Sequence, residues 1–352
     1  MTKTTIVIGA GATQAEAMRL GVSPLPPLDK GFFSGLAAHR PHEFQPISDY
    51  MREQYGVNIL DSAEDGLEAI MSVIYTDIRH SQLGPEAARP FRALIRSVNA
   101  ELSASSNKMK ADRDSYLYRI VKAEIDRGTA LQNLAFVTFN YDLQIEKALE
   151  ALERDGFTTE DGVALNFPYC YHLPRLDVTS PPKGREVFRV GDEELSGVSV
   201  YKLHGSLNWY SSHNSKNPSM DALLRTGRKI RLTQQQSPPM GMTVAGARRT
   251  YAFPVVIPPV LNKSAILPSG FASVWKDAED QLAHSEHLVV FGYSCPLFDL
   301  EAANLVARSL RGNANLRGVS IIDPTPEVII RFAKLTSARR IAYYRDADTY
   351  LA

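Results

Sequence analysis

The stretch Leu134-Ala135-Phe136-Val137-Thr138-Phe139-Asn140-Tyr141-Asp142 decides the reading of this chain. An apolar run of strand length ends in a polar tip, which is the form taken by a buried strand that delivers side chains to the carboxyl end of a sheet. The same form returns where Val198-Ser199-Val200-Tyr201 precedes Leu203-His204-Gly205-Ser206, and where Ile6-Val7-Ile8 precedes Gly9-Ala10-Gly11-Ala12-Thr13. Open α/β sheets bind ligands at such ends, so the three tips are expected to share one crevice. The glycine turn suits either backbone N–H groups brought close to a phosphate or a tight turn that holds no ligand.

The flanking segments set the fold class. Gln14 to Leu20 has the length of two helical turns, and Gly21 to Leu28 contains Pro24, Pro26 and Pro27, which end a helix. Apolar residues at Leu67, Ile70, Met71 and Ile74 follow the three-four spacing of one buried helical face, and 91–98 and 116–125 repeat it. The spacing predicts a helical insertion over 30–130, between the first and second strands. A helix over 143–154, a loop-rich stretch over 155–197 and a polar segment over 211–250 come next. The last holds Arg225, Arg228, Lys229, Arg231, Arg248 and Arg249 and reads as a solvated loop. Strands are expected at 253–257, 287–291 (ending at Gly292-Tyr293-Ser294), 317–323 and 340–344, with helices at 271–283, 297–310 and 327–335 between them. This alternation predicts an α/β chain with a Rossmann-like, doubly wound parallel sheet, forming one domain over 1–352. A dehydrogenase fingerprint would place a third glycine where Gln14 stands.

Composition narrows the function classes. Lys and Arg total 39, as do Asp and Glu, so the net charge is zero and supplies no bulk attraction to nucleic acid or to an anionic membrane. Cys170 and Cys295 are the two cysteines, too few for a disulfide framework or a four-cysteine zinc module. The first apolar run ends at Gly9, too short for a signal peptide, and no run approaches the ~20 apolar residues of a membrane span. A cytoplasmic location without a bound metal is therefore expected. Glu68 and Lys263 are charged residues in apolar or proline-flanked surroundings and read as solvated positions.

Taken in order, the Gly-Ala-Gly turn, Thr138-Phe139-Asn140-Tyr141-Asp142, His204-Gly205, Gly292-Tyr293-Ser294 and the strand-ending Asp323 resemble the sirtuin family. Within it they resemble the sirtuin-like NAD hydrolases of bacterial anti-phage systems, and Pro26-Pro27-Leu28-Asp29 with Phe32-Phe33 resembles the segment those proteins carry after the glycine turn. The resemblance implies NAD as substrate, cleaved to nicotinamide and ADP-ribose. It implies that Asn140 holds the nicotinamide ribose and the attacking water and that His204 is the general base. Asp142 would face the nicotinamide amide. Cofactor contacts are implied for Gly9, Ala10, Gly11, Ala12 and Thr13 at the pyrophosphate, for Thr138, for Gly292, Tyr293 and Ser294 at the adenosine half, and for Asp323 near its ribose or adenine. Tyr293 stands where sirtuins carry a threonine, and the absence of a four-cysteine zinc module argues against a deacylase. A non-catalytic subunit that binds NAD or an ADP-ribose derivative, and an ADP-ribosyltransferase or deacylase, stay open as alternatives.

Two further expectations follow. His204 and Asn140, as exposed strand-end groups, are expected to be replaceable without loss of the fold. With the sheet ending near Tyr344, the hydrolase is expected to be held inactive until a partner encoded nearby, or self-association, releases it.

Overall fold

The computed structural model describes residues 3–23, 25–26, 28, 31–61, 66–80, 82–110, 112–167, 169–173, 177–179, 187–189, 197–213, 231–232, 251–257, 271–296, 299–336 and 338–352. Strand β1 (Thr4–Ile8) is buried along its whole length, as expected of an uninterrupted Thr-Thr-Ile-Val-Ile run covered on both faces. It leads directly into helix α1 (Ala10–Arg19), which begins inside the glycine turn rather than at Gln14. The backbone of Gly9 is extended, so the turn consists of this one N-cap residue.

Helices α2 (Phe32–His39), α3 (Pro41–Tyr55), α4 (Leu67–His80), α5 (Gly84–Ser106) and α6 (Tyr116–Asp126) follow before strand β2 (Leu134–Thr138) and helix α7 (Gln144–Arg154). Helices α2 to α5 bury an apolar cluster of their own, including Phe33, Ile47, Met71 and Phe91, which Tyr141 and Leu207 join to the rest of the chain. Short strands β3 (Asp177–Thr179) and β4 (Val187–Arg189) precede β5 (Ser199–Lys202), β6 (Gly205–His213), β7 (Arg231–Leu232) and β8 (Tyr251–Val256). The chain closes with helix α8 (Phe271–Ala283), β9 (His287–Phe291), α9 (Leu300–Gly312), β10 (Gly318–Ile322), α10 (Glu327–Leu335), β11 (Arg340–Tyr344) and α11 (Ala347–Leu351).

Among the described residues, six strands form an all-parallel sheet in the order β11-β10-β9-β1-β2-β5. The chain builds outward from β1 through β2 to β5, then returns to the other side of β1 with β9. The order therefore reverses between β1 and β9, the switch point of a doubly wound sheet. The strands finish level, because Lys202, Thr138, Ile8, Phe291, Ile322 and Tyr344 are register partners across the sheet. Whatever follows each of those residues emerges along one edge.

Two expectations are corrected. The strand near 253–257 does not join the parallel sheet. It pairs antiparallel with β6 in a second, five-stranded sheet of order β4-β3-β7-β6-β8. Alternation of strand and helix along the sequence does not by itself say which sheet a strand enters; here β6 leaves the end of β5 after two residues and takes β8 as its neighbour. The expected helix over 297–310 begins at Leu300, because Asp299 caps it. Most of the polar segment 211–250 lies outside the described residues, as does Lys263. No helix of the described residues is long and apolar enough to cross a membrane.

At the amino end of the sheet, the buried carboxylate of Glu124 on α6 gathers three groups, one of which is held in turn by Ser320. Tyr350 donates to its Oε1 at 2.5 Å, Arg127 donates to the same oxygen at 2.6 Å, His287 Nδ1 lies 3.2 Å from Oε2, and His287 Nε2 lies 3.1 Å from Ser320 Oγ. Burial pushes the Glu124 pKa up, but hydrogen bonds from His287, Tyr350 and Arg127 overcome it and bring the value down to about 2 from 4.5. A folded state that binds this proton more weakly than the unfolded chain gains stability above pH 4.5, on the order of 3 kcal/mol, and loses it as the pH falls to about 2. In a Tm-against-pH series, Glu124→Gln should start less stable at neutral pH and decline less than the parent between about pH 5 and pH 2.5. Parallel curves would show that Glu124 does not carry this acid sensitivity.

Candidate functional site

The switch point is closed by backbone packed on backbone. The N–H of Gly9 donates to Phe291 O at 3.1 Å, and that of Gly11 donates to Gly292 O at 3.0 Å. A Cβ on Gly9 would come within 2.3 Å of Gly292 O, and one on Gly292 within 2.1 Å of Ala12 N and 2.5 Å of Gly11 C. Gly292 also has φ +60°, the left-handed region that disfavours a side chain. These glycines therefore serve first to let two loops meet. The N–H groups of Gly9 and Gly11 are thus engaged across the switch point, and Ala12 N–H is engaged by Gly9 O at 3.0 Å. What faces outward is the first turn of α1, where Ala10 is exposed and no acidic residue offsets the positive end of the helix dipole.

Beside the turn, the segment after β2 forms a directional hydrogen-bond chain. Thr138 Oγ1 donates to Ile8 O at 3.2 Å and accepts from Asn140 N–H at 3.0 Å, drawing the tip over the end of β1. Asn140 Nδ2 donates to Gly9 O at 2.8 Å and to Thr13 Oγ1 at 2.9 Å, and Thr13 in turn donates to Asp142 Oδ2 at 2.5 Å. The remaining Asp142 oxygen accepts from Gln144 N–H at 2.9 Å, in the first turn of α7. An ionised carboxylate only accepts, so the Thr13 proton points at Asp142 and its lone pair receives the Asn140 amide. The Asn140 side chain is thereby fixed with its nitrogen toward Gly9 and Thr13.

His204 occupies the two-residue turn between β5 and β6. Its carbonyl accepts from Ile257 N–H at 2.7 Å, and Leu203 N–H reaches Thr138 O at 2.9 Å, so its backbone is pinned from both sides. Phe139 lies edge-on at 5.4 Å between ring centres, with Tyr141 at 6.1 Å and Trp275 at 6.3 Å, and Phe139 stacks on Tyr293 at 4.4 Å. Nε2 is 3.0 Å from Asp299 Oδ2. Asp299 comes from the N-cap of α9, where its Oδ1 accepts from Ala302 N–H at 3.2 Å. The loop that leads to it contains Cys295 with φ +52°, rare for a residue bearing a side chain.

A buried ion pair supports the site from beneath. Lys202 Nζ donates to Glu146 Oε1 at 2.9 Å and to the carbonyl of Asp142, with side-chain exposures of 0% and 2% for the lysine and the glutamate. Tyr171 donates to the same glutamate oxygen at 2.7 Å and accepts from Asn208 Nδ2 at 3.1 Å. At the opposite end of the edge, Asp323 Oδ1 accepts from Thr325 N–H at 2.8 Å, and Arg331 donates to Ser294 O at 2.7 Å. Burial raises the Asp323 pKa against the opposing effect of its bonds to Thr325 and the charge of Arg331.

The structure thus gathers Gly9, Thr13, Thr138, Asn140 and Asp142 into one hydrogen-bonded group, joins it to His204 through Phe139 and Tyr141, and sets Ser294 and Asp323 farther along the same edge. The expected exposure of the central residues is corrected: Asn140, Asp142 and His204 are 8%, 7% and 4% exposed, because their strand tips are roofed by neighbouring loops. Sequence reasoning missed Asp299 and the Lys202–Glu146 pair. The available signals were an Asp preceding an amphipathic helix just after a strand tip, and a lysine closing an otherwise buried strand. Glu68 is half-buried rather than solvated, and its charge acts on the hydroxyls of Tyr141 and Tyr293.

No protein-family model matches the chain, and no curated protein matches it in sequence. In structure it is similar to a sirtuin studied for substrate affinity, at 12% identity over 99% of this chain and 89% of the other, with a TM-score of 0.39. It is also similar to Sir2Tm bound to a propionylated peptide (12% identity, 98% and 89% covered, TM-score 0.39). A third match is a Sir2 homologue mutant in complex with ADP-ribose (15% identity, 99% and 89% covered, TM-score 0.42).

Three substitutions test this geometry. Gly292→Ala should cost more than about 3 kcal/mol, combining left-handed strain with a backbone collision. Gly128→Ala, at φ +95° with open space around it, should cost only the strain, about 1–2 kcal/mol. Equal costs in denaturant unfolding would show that the loop contact is dispensable. Lys202→Met leaves the buried Glu146 carboxylate without its counter-charge and should destabilise the chain by roughly 3–5 kcal/mol; an unchanged unfolding midpoint would contradict the buried pair.

Proposed function

We propose that this chain cleaves the nicotinamide–ribose bond of NAD, releasing nicotinamide and ADP-ribose. The observation that carries this reading is the order of side chains along the level carboxyl edge of the sheet: Asp323 and Ser294, then the Gly9–Thr13 turn, then Asn140, then His204. Five strands at the usual spacing span about 19 Å, the extent of a ligand with two separated ends rather than of a single nucleoside. A general base stands at one end and a carboxylate at the other. The order of motifs also resembles the sirtuin family, as set out above.

Each residue has a chemical part to play in that reading. Glycosidic cleavage of this kind passes through an oxocarbenium-like state, and nicotinamide departs as a neutral molecule, so no strong acid is needed. A rigid grip on the ribose and a base near neutrality suffice. Asn140, its amide fixed by Gly9 and Thr13, presents an oxygen acceptor to a ribose hydroxyl or water. His204 takes the proton. The first turn of α1 favours the pyrophosphate through its dipole. Because Asp142 uses both oxygens inside the protein, its part is to orient Thr13 and Asn140 rather than to hold the carboxamide directly.

We further read the hydrolase as the effector of a bacterial anti-phage system, kept at rest until a partner or self-association opens the crevice. The burial of His204 and Asn140 in the isolated chain supports such a resting state.

Purified protein incubated with NAD should release nicotinamide, detected by chromatography, on its own or once activated. His204→Ala and Asn140→Ala should each lower that rate at least ~10²-fold. Because both residues are buried, their unfolding midpoints must be measured alongside. NAD binding without nicotinamide release under any condition would replace hydrolysis with sensing, and parent-like rates in both folded variants would refute the assignment.

A further inference from the structure

The reading of His204 as a general base leaves open which of its nitrogens does the work, and the structure bears on this through a residue that no motif pointed to. Asp299 is 2% exposed, its Oδ2 is 3.0 Å from His204 Nε2, and its Oδ1 is held at 3.2 Å by Ala302 N–H at the start of α9. Such a carboxylate cannot swing away without uncapping the helix. The imidazole is restrained equally, boxed by Phe139, Tyr141 and Trp275.

We propose that Asp299 is the positioning residue of this site, its carboxylate accepting the Nε2–H of His204 and so fixing the neutral tautomer in which Nδ1 is the basic nitrogen. When Nδ1 takes a proton from a ribose hydroxyl or water, the imidazolium that forms carries both protons, and Asp299 stabilises its charge without being protonated itself. Asp299 touches no reacting atom. It acts only through His204, and the inference rests on the function proposed above.

Among the described residues, two tyrosines and a cysteine near this couple have raised pKa values. The hydroxyls of Tyr141, after β2, and Tyr293, after β9, are held well above their ordinary value, first by burial and then by nearby negative groups, with Glu68 of α4 and Asp299 acting on both. The Cys295 thiol is also raised, mainly by burial.

Asp299→Asn is the informative change, because asparagine caps a helix as well as aspartate does but presents a neutral amide to Nε2. In the activated protein, kcat for nicotinamide release should fall roughly 10²- to 10⁴-fold, with KM for NAD changing less than about threefold. The acid limb of kcat/KM should move to lower pH, and Asp299→Glu should recover part of the rate. Parent-like kcat and an unmoved acid limb in folded Asp299→Asn would overturn the proposal. Histidine-selective nitrogen NMR of the parent, with the His204 signals identified by their loss in His204→Gln, gives a readout independent of turnover and of how the variant folds. A proton on Nε2 and a bare Nδ1 in the neutral ring support the proposal; the opposite tautomer overturns it. If the parent releases no nicotinamide, the function fails while the NMR result still decides the His204–Asp299 couple.

Discussion

The contact of Gly9 and Gly11 with Gly292 is the constraint on which the site depends. Two strand tips on either side of the switch point approach until backbone meets backbone, with no room for a single Cβ at Gly9 or Gly292. That closeness puts the Gly9 carbonyl within reach of Asn140, tilts α1 so that Thr13 meets Asp142, and directs the loop after β9 past Phe139 toward Asp299. Loosening it would separate the two halves of the edge. Glycine is needed here less for its torsional freedom than for its missing side chain.

Around this contact the molecule meets a recurring physical demand, that polar groups removed from water must find partners. Asp142, Glu146 and Glu124 are all buried carboxylates, and each is met by donors, on both oxygens of Asp142 and Glu124 and on Oε1 alone of Glu146. Asp142 takes Thr13 and a helix N–H, Glu146 takes Lys202 and Tyr171, and Glu124 takes His287, Tyr350 and Arg127. Two of these networks stand beside the reactive edge and the third stands at the far end of the strands. The distribution matters, since networks that lock side chains in place give a site its rigidity, whereas the Glu124 network ties α11 to α6 at the other end of the sheet.

The helical insertion contributes to the site as well as to bulk. Its cluster is joined to the rest through Tyr141 and Leu207, which flank Asp142 and His204 in sequence, and through it Glu68 brings a charge toward the tyrosines of the crevice. A movement of α4 would be felt first at those residues.

The sequence by itself determined the alternating strands and helices, the parallel sheet, the insertion after β1, and the polar tips that line one edge. These are readable because strand burial and helical periodicity are local, and because a polar residue after an apolar run has only one place to go. What only the tertiary structure decided were pairings between distant segments: that the turn glycines serve loop contact, that β8 joins a second sheet, that Asp142 faces inward, and that Asp299 meets His204. The reason is the same in each case. Local pattern fixes which face of an element is buried, but the partner it meets there depends on strand order and register, which follow from packing the whole chain at once.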